Sequence, residues 1–99
     1  MKCEIFSKEY LPAIRALIAK ELTSRGFTQK EAADRLYLTQ PAIAFYKKQS
    51  RGKKSSELMR RPEIKSLVEE LAKGLSTKQL PREALEKEYC RFCALIFGE

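Results

Sequence analysis

Two helix-start signals stand eleven residues apart, at Thr28-Gln-Lys-Glu31 and Thr39-Gln-Pro-Ala42, and they constrain the fold more than any other feature. Thr28 with Glu31 matches a capping box, in which the threonine hydroxyl accepts the N–H three residues on and the glutamate reaches back. The helix begun there runs to about Leu36. It cannot continue far, because Thr39 is a second N-cap and Pro41, which has no N–H, fits only a first helical turn. The next helix therefore starts at Gln40, and the joint is only Tyr37-Leu38-Thr39. Two short helices on so tight a joint form a helix-turn-helix. Ala33 is the small residue that allows a close crossing, and Leu36, Leu38 and Ile43 form the apolar wedge. Past Ile43, either Tyr46 or Phe45 continues the inner side.

The rest of the chain also reads as helix, so the expected fold is all-α with about five helices. Pro12 suits a first helical turn, with Ser7 or Tyr10 just before the helix. Leu11, Ile14, Leu17, Ile18 and Leu22 follow at helical spacing, with Arg15, Lys20 and Glu21 on the other side. Gly26 supplies a left-handed residue that ends this helix near Arg25. Residues 50–61, SRGKKSSELMRR, lack periodicity and read as a loop with one turn at Glu57–Arg60. Pro62 opens a helix with the stripe Ile64, Leu67, Val68 and Leu71, stopped near Lys73 by Gly74. Ser76 or Thr77 caps a short turn, and Pro81 or Arg82 begins a last helix to about Phe97. Its stripe is Leu85, Tyr89, Phe92 and Ile96. The 99 residues make one domain: a helical pair at 28–48, a basic loop at 49–61, and a C-terminal region at 62–97. The C-terminal helices are expected to pack on the first helix.

The net charge of +7 is concentrated. Residues 47–61 carry Lys47, Lys48, Arg51, Lys53, Lys54, Arg60 and Arg61 against Glu57 alone, so +6 lies in fifteen residues. Such a run is either a solvated linker or a segment that attracts polyanions through counterion release. No apolar run approaches the ~18 residues that span a bilayer, and no export signal is legible, so a cytoplasmic protein is expected. With no histidine as general base and no glycine-rich phosphate loop, an enzyme with a small-molecule substrate is not expected.

TQKEAADRLYLTQPAIAFY resembles the helix-turn-helix of Cro/lambda-repressor-type (Xre-like) regulators. More closely, the chain resembles small archaeal predicted transcriptional regulators of that type. The likeness extends to LPAIRALIAKEL at 11–22, LTQPAIAFYKK at 38–48 and the C-x-x-C at Cys90–Cys93, and is loose over 50–80. In one respect the chain departs from the motif: the turn position four residues after Ala33 is usually glycine, and here it is Tyr37. A tyrosine needing positive φ there would be strained. The resemblance implies a DNA-binding transcriptional regulator that lays residues 40–48 in the major groove.

Helical geometry separately sorts that segment's residues. With Ile43 inward, Gln40, Pro41, Ala44, Phe45 and Lys48 fall on the outer side or its edges. Gln40 is the candidate base reader, since its amide can pair bidentately with adenine. Thr39 can contact a phosphate or base while capping, and Ala44 and Phe45 can meet thymine methyls. Core packing is the other reading of Phe45. Gln29 is placed to hold a backbone phosphate at a helix start. Lys47, Lys48, Arg51, Lys53 and Lys54 would add affinity without specificity.

The generous stripe of the last helix either packs on the first helix or forms a dimer interface, and since reading a two-fold operator requires two copies, a homodimer built mainly by the C-terminal half is expected. The three cysteines, an odd number, fit a reducing compartment. Cys3, Cys90 and Cys93 have three readings: a zinc or iron–sulfur site short of a fourth ligand, buried packing, or a redox pair. Other functions compatible with the sequence are an antitoxin-like protein-interaction module, an RNA-binding module, and a thiol-based metal or redox sensor on the same fold.

Overall fold

The computed structural model describes residues 2–49 and 53–98. Six helices and no strand occur among the described residues. They are α1 (residues 2–24), α2 (Gln29–Arg35), α3 (Gln40–Gln49), α4 (Lys53–Met59), α5 (Pro62–Thr77) and α6 (Arg82–Phe97). No helix among the described residues is long and apolar enough to cross a membrane.

The centre of the fold is α1. Ala13, Ile14, Ala16, Leu17, Ile18, Ala19 and Leu22 are all buried, far more than one stripe of a surface helix. The three alanines explain how: their small side chains let α3 and α5 approach different sides of the same rod. Ile64, Leu67, Val68, Leu71, Ala72 and Leu75 face it from α5, and Leu85, Tyr89 and Phe92 complete the core from α6.

Pro12 lies in the first turn of the α-helical segment Leu11–Ser24, as its sequence position predicts, but the rod does not begin there. The proline lies inside α1, just after the Phe6–Tyr10 turn, which is wound as π-helix and donates the Leu11 N–H to the Phe6 carbonyl. A proline ring presses on the carbonyl one turn back and removes a donor. The wider turn makes room for the ring, so the rod continues upstream to Lys2.

Gly26 and Tyr37 end α1 and α2 in the same way. Gly26 N–H bonds the Thr23 carbonyl at 3.1 Å and Phe27 N–H the Leu22 carbonyl at 3.1 Å. Tyr37 N–H bonds Asp34 O at 3.2 Å and Leu38 N–H bonds Ala33 O at 2.9 Å. Both are Schellman caps, and both put their C′ residue in left-handed backbone, at φ 101° for Gly26 and 58° for Tyr37. The motif usually takes glycine, so the turn is built as expected but on an unexpected residue.

Two expectations fail. Gly74 does not stop α5, which continues to Thr77 because Leu75 is fully buried and extends the stripe past it. Burial of that leucine outweighs the ~1 kcal/mol propensity cost of one glycine. The stretch expected as a loop is helical from Lys53 to Met59. It is too short for a periodic pattern, and buried Leu58 with half-buried Met59 supplies its attachment to the core. Arg61 is extended before Pro62, as a pre-proline residue prefers, and separates α4 from α5.

Candidate nucleic-acid interface

The sequence places two caps around the turn between α2 and α3, and both are made. The Thr28 hydroxyl accepts Glu31 N–H at 3.0 Å, while Thr28 N–H donates to the Glu31 carboxylate at 2.8 Å. The Thr39 hydroxyl accepts Ala42 N–H at 3.2 Å. Ala32 and Ala33 are buried where the helices meet, and Leu36 and Ile43 close the wedge with half-buried Leu38. Because both helix starts and the intervening turn are bonded locally, the direction of α3 is set by short-range contacts.

That direction turns one face of α3 outward. Thr39, Gln40, Pro41, Ala44, Phe45 and Lys48 are all exposed. Phe45 is 59% exposed, against 1% for Ile43. This separates the two readings of Phe45: it is a surface residue, and Tyr46 takes the inner position. The Phe45 and Tyr46 rings meet edge-on with centroids 6.1 Å apart. Lys47 is half-buried beside them.

The remaining proposed contacts are less uniform. Gln29 is exposed at the first turn of α2. The Glu31 carboxylate already takes the Thr28 N–H, and that hydrogen bond is the main reason its pKa lies below the ordinary 4.5. A negative charge therefore stands at the α2 start, so Gln29 can hold a phosphate only through its own amide. Lys54 does not extend as a loop residue. Its ammonium sits 4.3 Å from the Tyr10 ring centroid, on α1. Arg61 donates through Nη2 to Leu95 O at 2.7 Å and pairs with Glu63 at 2.9 Å, which ties α5 to the end of α6. Arg51 and the side chain of Lys53 lie outside the described residues.

A strap from the loop before α6 holds the turn from the other side. Gln79 donates to Arg35 O at 3.0 Å and so caps the end of α2. The Tyr37 hydroxyl donates to Leu80 O, and Arg82 lies 4.7 Å from the Tyr37 ring centroid. The side chain that the left-handed turn must accommodate is thus also an anchor for the turn.

Sequence reasoning missed Arg15, which it placed with the solvated residues of α1. Arg15 is half-buried, donates through Nη1 to the Tyr46 hydroxyl at 3.3 Å, and lies 5.6 and 5.4 Å from the Tyr46 and Tyr89 ring centroids. Because α1 is the central rod, its polar side meets α3 and α6 before it meets water. The two tyrosines at helical spacing in facing helices were the available signal.

The cysteines divide. Cys90 is exposed on α6, which excludes the packing role for that residue, whereas half-buried Cys93 packs against the core. Among the described residues, no three Cys, Asp or Glu side chains gather as a metal site. The Cys3 side chain, the third member of the expected zinc or iron–sulfur set, lies outside the described residues.

No family model, curated protein or solved structure matches this chain.

Proposed function

We propose that the protein is a sequence-specific DNA-binding transcriptional regulator, with α2 and α3 as its helix-turn-helix and α3 lying in the major groove. The observation that carries this reading is the outer face of α3. A helix whose inner side is pinned by Ile43 and Tyr46 offers Gln40, Ala44, Phe45 and Lys48 to a partner. These residues comprise one amide able to pair with adenine, two apolar groups suited to thymine methyls, and a cation for phosphate. Thr39 and Pro41 lie at the leading edge of that face.

A lone short helix reads too few bases for strong discrimination, so the reading includes a homodimer formed by the C-terminal half. Exposed Ile5 and Cys90, with half-buried Ile96 and Phe97, supply apolar area near the α1 tip and α6. Sedimentation at micromolar concentration is expected to give twice the chain mass, and a monomer mass would count against the dimer.

A second reading has its own support. An exposed aromatic such as Phe45 is what stacking on unpaired RNA bases requires. Selection of bound fragments from both genomic DNA and total RNA separates the two. Recovery of one short inverted repeat supports the regulator, whereas enrichment of RNA without a DNA motif refutes it. Within a recovered site, Gln40→Ala should relax preference at one position at a cost of about 1–3 kcal/mol. Lys48→Ala should weaken binding to all sequences and reduce the salt slope by about one.

A further inference from the structure

Between α1 and α6 lies an open cleft of about 310 Å³, bordered among others by Phe6, Leu11, Arg15, Glu86, Tyr89 and Cys93. We infer that this cleft binds a small organic monocarboxylate, its apolar body along Phe6, Leu11 and Cys93 and its carboxylate received by Arg15 and Tyr89. The volume lies at the lower end of the range for small-molecule sites, which combine mostly apolar walls with a few convergent polar groups. At about 30 Å³ for a water-sized group, it holds roughly ten non-hydrogen atoms.

The polar end specifies the charge. Arg15 Nε and the Tyr89 hydroxyl are buried and have no hydrogen-bond partner among the described residues. Tyr89 is only 7% exposed. A buried donor without a partner is costly, so an acceptor that relieves both is favoured. Among the described residues no carboxylate pairs with Arg15, whose guanidinium faces the two tyrosine rings, bonds the Tyr46 hydroxyl and lies close to the Tyr89 hydroxyl. A guanidinium with an adjacent hydroxyl matches the two oxygens of one carboxylate. Glu86 on the rim opposes a dianion, which selects a singly charged carboxylate over a phosphate. Neither donor has surface open to bulk water or to the cleft, so binding requires a side-chain rotation of Arg15 or Tyr89 that turns the donors towards the cleft.

A smaller crevice of about 90 Å³ also borders Arg15 and Tyr89, and water held there is the competing way to satisfy them. Through Arg15 and its bond to Tyr46, α3 is the helix that would sense an occupied cleft. Binding itself does not depend on what α3 recognises, because the test uses no nucleic acid.

The isotope-labelled full chain is titrated with hexanoate and with phenylacetate at fixed pH and ionic strength. 1-Hexanol and inorganic phosphate serve as controls. The Arg15 Nε–H and Tyr89 ring resonances report occupancy. At least one carboxylate is expected to shift both saturably, with an affinity tenfold or more above that of 1-hexanol and with no such shift from phosphate. Tyr89→Phe, which removes only the hydroxyl, should weaken binding about tenfold, as should Arg15→Lys. If Arg15→Lys loses its helical signal, Tyr89→Phe decides alone. Absence of saturable shifts with both carboxylates would overturn the proposal. So would equal binding of hexanol, shifts confined to Lys47 and Lys48, or unchanged affinity in Tyr89→Phe, which is the water outcome.

Discussion

Replacing Tyr37 with glycine sets two effects of opposite sign against each other. At φ 58° a tyrosine occupies backbone that glycine adopts freely, and left-handed geometry costs an ordinary residue about 1–2 kcal/mol. Part of the relief is lost again, because glycine gives up about 0.5–1 kcal/mol more backbone entropy on folding. On the other side, the hydroxyl bond to Leu80 contributes about 1 kcal/mol and the Arg82 contact about 0.5 kcal/mol. A half-buried ring removes on the order of 100 Å² from water, or about 2.5 kcal/mol. The side chain therefore outweighs the strain, and Tyr37→Gly should lose about 2.5–4 kcal/mol although glycine is the usual residue of such a turn. Tyr37→Ala keeps the strain and loses the ring, so it should fall about 1 kcal/mol below the glycine variant. Tyr37→Phe should lose only about 1 kcal/mol. Urea unfolding followed by far-ultraviolet circular dichroism, with the m value unchanged across the series, measures all three. A glycine variant as stable as the parent would refute the anchoring argument. An alanine variant as stable as glycine would refute the left-handed turn.

Gly74→Ala should raise stability by about 0.5–1 kcal/mol, read in the same urea assay, because a methyl there meets no atom within 4 Å and the backbone is helical. Ala33→Leu should cost about 1–3 kcal/mol by forcing α2 and α3 apart, with a lowered thermal midpoint as the readout. Thr28→Ala should cost about 1 kcal/mol at neutral pH through loss of the α2 cap. The Glu31 half of that cap is pH-dependent: its folded pKa is lowered, so its support is complete above the unfolded value near 4.5 and fades as pH falls through the lower folded one. A carboxyl carbon titration that places Glu31 at or above 4.5 would contradict this.

What could be read from the sequence was what is encoded locally. Thr28, Glu31 and Thr39 act on backbone groups within three residues, so spacing alone revealed both caps, the joint and the outward face of α3. Tyr37 was legible as a position of conflict, but its resolution was not, since Leu80 and Arg82 lie more than forty residues away. Gly74 does not stop its helix because its local cost is offset by buried Leu75, and the rod upstream of Pro12 was hidden because a π-helical turn accommodates the ring. Helix α4 read as a loop with a single turn because one buried leucine, Leu58, makes no period. Arg15 escaped notice because a cation on a helix signals solvent unless one knows that the helix is surrounded.

The Phe6–Tyr10 turn carries one residue more than a regular helix would use, and absorbs it without a change of face. Removing exposed Ser7 would leave Leu11 four residues after Phe6, so the bond between them would become the ordinary link of an α-helix. Phe6 would then stay on the bundle, with Ile14 and Ile18 in their places. What the shorter rod would lose is the wide turn that makes room for the ring of Pro12. The tip of the rod therefore tolerates a lost residue in its phase, and the proline bears the strain.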